Sequence, residues 1–372
     1  MGVEILPIPE RIREPLRRTL AGERTAWPEL TDGDVRALGQ HGLVPLVYSI
    51  AHLPRLRDEA IHAAALETVR LDDLRAVLDA LASRGVAALL MKGTPLAYDL
   101  YPAPELRPRG DTDLLIEPSA LDALREAMTA LGFREHLTSG DEHGVLQATF
   151  TRADAFGAIH AYDVHWSLTN MPLFAETLRF GELRERARPA PAIGPHALAL
   201  SHGDALLHAC VHRVAHHHDT ERLIWLYDIA LLRERMPREE HGRFWRLAAE
   251  RHVVGICMRS VELADDWCGR EPRDPDYAER AEEWLSREEI ERDEPSRIYL
   301  DRDITYGRTM LEDFRALPWR ARLRRLRQLA LPPPAFMRQS FPSHGRFALP
   351  WLYVYRGARG IRRLFRRADL LR

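Results

Sequence analysis

Three observations predict an α+β fold for this 372-residue chain, a small mixed β-sheet with helical segments before and after it. Helical periodicity runs through the first 85 residues and resumes after residue 195. Between these limits, short apolar or alternating runs are bounded by Gly, Pro and Asp, the punctuation of strands. The order helix, strand, helix, strand, helix and then three strands in meander suits a sheet carrying helices on one face. The expected organisation is a helical segment over 1–85, a sheet-containing core over 86–190 and a helical region over 195–372, with the Pro-rich stretch ARPAPAIGP as the boundary before the last.

At the N-terminus, Asp32 and Asp34 open a periodic run through Val35, Leu38, Leu43 and Leu46. A long amphipathic helix follows from Arg57 to Arg84, where Ile61, Ala65, Leu66, Val69, Leu74, Val77, Leu78 and Leu81 recur at helical spacing. Gly85 stops it, and VAALLMK, an apolar run too short for a stable helix, reads as a buried strand. A Lys-Gly-Thr turn then leads through a short helix and an Arg/Pro-rich loop to a second apolar strand carrying Asp111 and Asp113. Ser119 is expected to N-cap the helix SALDALREAMTAL, which ends at Gly132. FREHLT, VLQATFTR and AIHAYDVHWSL form the meander, joined by the turn-rich SGDEHG and ADAFG. The last region reads as helices through LALSHGDALLHACVHRVAHHH, ERLIWLYDIALLRERM and GRFWRLAAERHVVGICMRSVELADDW.

Composition excludes several classes. The 53 Lys and Arg against 55 Asp and Glu give a formal net charge of -2, with no chain-wide attraction to nucleic acid or an anionic membrane. The widely spaced Cys210, Cys257 and Cys268 argue against a disulfide framework or a cysteine zinc site. No stretch stays apolar for ~18 residues, so a soluble, cytoplasmic protein without a membrane partner is expected. The Arg-rich stretches PWRARLRRLRQLALPPP and YRGARGIRRLFRRADLLR are either solvated helix faces or a platform for an anionic partner.

The chemistry concentrates in MKGTPLAYDLYPAPELRPRGDTDLLI. Side chains at i and i+2 of a strand share a face, so Asp111 and Asp113 are expected to project together and to repel unless a cation joins them. Mg²⁺ fits that need, since it takes oxygen ligands and is completed by substrate phosphates. Gly93 and Thr94, where a strand feeds a helix, offer backbone N–H groups and a hydroxyl to phosphate oxygens. Metal-assisted phosphoryl or nucleotidyl transfer calls for a further carboxylate, and Asp163, with His165 on the same face of the YDVHW strand, is the best candidate. Lys92 and Arg107 are the nearby cations able to neutralise phosphate charge.

Taken in order, KGT, LRPRGDTDLLI and YDVHW resemble the nucleotidyltransferase superfamily that includes DNA polymerase beta. More narrowly, with QHGLVPLVYSI upstream and LLHACVHRVAHHHDTERLIWLYDIALL downstream, the chain resembles a bacterial family of uncharacterised nucleotidyltransferases over residues 30 to 235. The resemblance implies a nucleotidyltransferase core that uses two Mg²⁺ ions, with Mn²⁺ as a substitute. It would move a nucleoside monophosphate from an NTP such as ATP to an acceptor hydroxyl, with pyrophosphate released. It also implies that Gly93 and Thr94 hold the triphosphate, that Asp111 and Asp113 ligate metal, and that Asp163 completes the site and helps activate the hydroxyl. Thr94 stands where the wider superfamily has Ser, with the hydroxyl kept. The acceptor is a small molecule, RNA or protein, with a toxin-like transferase acting on tRNA or protein as one alternative and a non-catalytic nucleotide-binding protein as another.

Downstream, His208 and His212 stand at i and i+4, the spacing of a zinc pair, but lack the Glu of an HExxH motif and any cysteine partner. His212 and Asp228 either face the substrate cleft or satisfy each other between helices, while His216, His217 and His218 mark a helix end where cationic or polar residues suit the dipole.

Overall fold

The computed structural model describes residues 5–136, 147–155, 157–169, 171–175, 177–269, 294–301, 303–332, 334, 337, 341 and 349–366. Four helices open the chain: α1 (Glu10–Leu20), α2 (Asp32–Gln40), α3 (Val44–Ala51) and α4 (Arg57–Ala82). A capping box starts α2, where the Thr31 hydroxyl accepts from the Asp34 backbone and the Asp34 carboxylate accepts from the Thr31 backbone. The core follows as β1 (Ala88–Met91), α5 (Gly93–Asp99), β2 (Thr112–Ile116), α6 (Leu121–Ala130), β3 (Arg134–His136), β4 (Gln147–Ala153), β5 (Ile159–His165), α7 (Phe180–Glu185), β6 (Arg188–Pro189) and β7 (Leu198–Ala199). The helices α8 (His202–Ala215), α9 (Leu223–Arg235), α10 (Arg238–Glu250) and α11 (Val254–Cys268) pack on it, and further helices cover Tyr306–Ala316, Trp319–Ala330 and Leu349–Leu364.

The seven strands form one mixed sheet in the order β3-β4-β5-β2-β1-β7-β6. At its centre β2 runs antiparallel to β1 and parallel to β5, with Asp113 opposite Met91 on one side and opposite Asp163 on the other. Both faces are covered, where the sequence led us to expect helices on one. Leu90, Leu114, Ile116, Val164 and Phe150 pack against Leu74, Val77, Leu78 and Leu81 of α4 and Leu124, Ala127 and Met128 of α6. Leu89, Met91 and Leu115, the alternate positions of β1 and β2, join the larger core with α1, α3, α8, α9 and α11. The physical reason is the continuous apolar run of β1 and β2, buried at every residue, which marks a strand covered on both sides.

Two local expectations shift. Ser119 does not cap α6: Pro118 closes a short 3-10 turn over Pro118–Ala120, and Ala120 becomes the helix N-cap without a side-chain bond. Within ARPAPAIGP, β6 pairs with β7 and so belongs to the sheet. The segment SGDEHG lies outside the described residues. Gly132 ends α6 with φ +81, a conformation suited to glycine. Cys210, Cys257 and Cys268 are buried and outside any disulfide.

Candidate active site

The site begins at the corner between β1 and α5. Lys92 turns that corner with φ 55, a left-handed conformation that is costly for a side-chain-bearing residue. Its ammonium reaches the neighbouring strand, with Nζ 2.6 Å from Oδ1 of Asp113. Burial works against the charged Lys92, yet Asp113, and behind it Asp111 and Asp163, raise its pKa overall.

Asp113 is buried, as is His165, whose Nε2 lies 2.9 Å from the same Oδ1. Parallel pairing of β2 with β5 sets Asp163 directly beside Asp113, and Thr149 on β4 donates its hydroxyl to Asp163 at 2.7 Å. Ligand atoms of Asp113, Asp163 and His165 all lie within 4.8 Å of one another. Burial alone would push the Asp113 carboxyl up, but Lys92 and the His165 hydrogen bond outweigh it and hold it well below the usual carboxylate range.

Asp111 precedes β2 and stands outside that group of three. It is exposed to solvent. Desolvation raises its carboxyl, and the charges of Asp113 and Asp163 raise it further against Lys92 and His165. The donor set fits a divalent cation: two carboxylates suit Mg²⁺ or Mn²⁺, and the imidazole on Asp113 orients the ligand it touches.

Two buried ion pairs fix the Arg/Pro loop that delivers these acids. Arg107 grips Asp228 of α9 through Nε at 3.0 Å and Nη2 at 2.7 Å, and Tyr101 donates to the same carboxylate at 2.7 Å. Arg107 also lies against Gly93: a Cβ there would sit 2.8 Å from Nη1, so a larger residue must displace the guanidinium that holds Asp228. Arg109 pairs with Glu67 of α4 at 3.0 Å, and Tyr98 donates to Glu67 at 2.7 Å. The loop is thereby tied to the helices on both sides of the sheet. Arg107 thus spends its fork on Asp228 rather than on Asp111 or Asp113, and Thr94, at the start of α5, is 1% exposed.

Beyond Lys92 a narrow cleft of about 50 Å³ runs between β1, β7, α8 and α9. Met91, Leu96, Leu200, Ala209 and Trp225 give it apolar walls, and His208, His212, Arg107 and Asp228 give it polar points. His212 and Asp228 therefore both face the cleft, and Asp228 is satisfied by Arg107 and Tyr101 rather than by His212. The rings of His208 and His212 lie 5.7 Å apart, and His212 stacks on His216 at 5.2 Å. Burial, followed by the Lys92 charge, lowers all three histidines, His208 to about 3. At the helix end expected from His216 to His218, His216 is the C-cap of α8, a polar ring with Nε2 2.9 Å from the Thr169 hydroxyl. Among the described residues the His208 and His212 pair has no third ligand for zinc.

Sequence reasoning weighed Lys92 only by its position. A stronger signal was available in the composition: the chain places Arg at 52 of its 53 Lys and Arg positions, and Lys92 is its single lysine. Thr149, Glu67 and Tyr101 were also missed, each an ordinary residue whose partner is distant in sequence.

Two carboxylates and an imidazole thus lie together beside one ammonium, a donor set able to hold a divalent cation. The chain belongs to the uncharacterised nucleotidyltransferase family, whose model matches residues 35–269, past the C-terminal end of the 30 to 235 span the sequence motifs suggested. No curated protein and no solved structure matches the chain.

Proposed function

We propose that the protein is a Mg²⁺-dependent nucleotidyltransferase of the polymerase beta type. It would join the α-phosphate of an NTP to an acceptor hydroxyl and release pyrophosphate. The observation that carries this reading is the side-by-side placement of Asp113 and Asp163 on parallel strands, with His165 in reach of both.

Asp113 and Asp163 would hold the cation, with Asp111, just before β2, joining them. The bound metal would supply Lewis-acid polarisation of the phosphate and a lowered pKa at the acceptor hydroxyl. The chain's own residues do the rest. Asp163 receives the proton as the acceptor oxygen attacks the α-phosphorus and the bond to the pyrophosphate oxygen breaks. Lys92 and the α5 corner at Gly93 and Thr94 meet the triphosphate, and Arg107 holds that corner in place through Asp228. Neutral His208 and His212, with Trp225, line the part of the cleft left for the base or the acceptor.

A macromolecular acceptor is favoured by one observation. Residues 319–372 carry 14 arginines and a single acid, Asp369, in a chain whose net charge is -2. Trp319 and Trp351 are exposed there at 64% and 57%, so the basic surface also offers rings on which bases stack.

Incubation with α-labelled NTPs, Mg²⁺ and a cell extract tests both readings. Label should enter one class of acceptor, and truncation after residue 318 should abolish entry into RNA or protein but not into a small molecule. Absence of transfer with every NTP would sink the catalytic reading.

A further inference from the structure

Lys92 raises a question that its position alone does not answer: why a lysine, in a chain that meets every other cationic need with arginine? The neighbouring Arg/Pro loop shows what arginine does to a buried carboxylate. Arg107 on Asp228 and Arg109 on Glu67 are forked, multiply bonded and buried on both sides, with side-chain exposures of 8% and 4% for the first pair and 4% and 6% for the second. Such pairs fasten structure. Lys92 makes one contact, to Oδ1 of Asp113, from a side chain 24% exposed and lining the cleft. An ammonium is a compact charge on a flexible stem, able to leave one anion for another without breaking a planar fork.

We infer that Lys92 is the exchangeable counter-ion of the acidic cluster, seated on Asp113 until a divalent cation displaces it and then turned toward the phosphates that arrive with the nucleotide. This rests on the proposed function, because Asp113 must be a metal ligand. The device keeps adjacent Asp113 and Asp163 from repelling each other in the resting protein, and the ammonium and the metal compete for one oxygen. The left-handed backbone at residue 92 sets the stem at the junction of cluster and cleft, where both seats lie within its reach.

The test is Mn²⁺ binding to the full chain without nucleotide, measured by calorimetry for wild type, Lys92→Met and Lys92→Arg, with a thermal melt on each. Removing a competing positive charge should tighten Mn²⁺ binding in Lys92→Met on the order of tenfold. The arginine variant preserves the charge and should bind Mn²⁺ more weakly than wild type, since its fork stays on Asp113. Tripolyphosphate added with Mn²⁺ should bind wild type better than Lys92→Met. Unchanged or weaker Mn²⁺ binding in Lys92→Met would overturn the exchange, as would wild-type behaviour in Lys92→Arg, which needs no change of charge to fold. Failure of all three proteins to bind Mn²⁺ would overturn it together with the metal-site reading, whereas Mn²⁺ binding lost only in Asp113→Asn leaves that reading intact and isolates the role of Lys92.

Discussion

Strand β5 has two faces, and the same residue type serves opposite purposes on each. Toward α4, Asp73 is saturated: it pairs with Arg152, accepts from Tyr162 at 2.6 Å and lies 3.3 Å from Nδ1 of His160. Toward the helical lobe, Asp113 and Asp163 share one ammonium, one imidazole and one hydroxyl between them. A buried acid with a full set of partners fixes the fold, whereas neighbouring acids left short of positive charge are suited to receive a cation. The difference is readable in partners rather than in burial, since Asp73 is 7% exposed and Asp113 4%.

The comparison is broken most sharply by removing an acid from each face. Asp113→Asn should lower nucleotidyl transfer at least on the order of a thousandfold while the protein still melts cooperatively. Asp73→Ala should do the reverse. It strands Arg152 and His160 around an empty place and should cost about 3 kcal/mol of stability in urea denaturation, with activity per folded molecule preserved. Loss of activity without loss of stability in Asp73→Ala would merge the two faces into one functional unit.

Gly93→Ala probes the edge of the site. The added carbon meets the Arg107 guanidinium, so stability should fall by about 1–3 kcal/mol and kcat should drop with it. A fully active, fully stable variant would show that the Arg107 position does not matter.

The smallest effect concerns pH. His208, His212 and His216 are held neutral in the fold, while in the unfolded chain they take up protons near ~6.5. The unfolded state therefore binds more protons below that pH, and stability, complete above it, falls as pH drops toward 3. Denaturation at a series of pH values should show this slope, and His208→Gln should flatten it. A flat profile in the wild type between about pH 7 and pH 5 would contradict neutral burial of the histidine wall.

Much of the site face was legible because strand chemistry is local. Asp111 and Asp113, and Asp163 with His165, are spaced two apart, so a reader can place them on a face without knowing the fold. The structure sharpened this: β2 begins at Thr112, which leaves Asp111 just before the strand, while His165 lies with Asp113 and Asp163 in the acid cluster. The fastening of that face was not legible. Arg107 finds Asp228 across 121 residues and Arg109 finds Glu67 across 42, separations over which no periodicity operates. The second covered face of the sheet was missed for a related reason, since an apolar run states that a strand is buried but not which later helices bury it.

The most direct test of the central claim is pyrophosphate release from ATP and Mg²⁺ with an acceptor-containing extract, for wild type beside Asp163→Asn. Asp163 is the residue whose place beside Asp113 depends on the parallel pairing of β5 with β2. Pyrophosphate release by wild type, abolished in Asp163→Asn while its melting is unchanged, is the predicted result. Equal release by the two proteins would contradict the account.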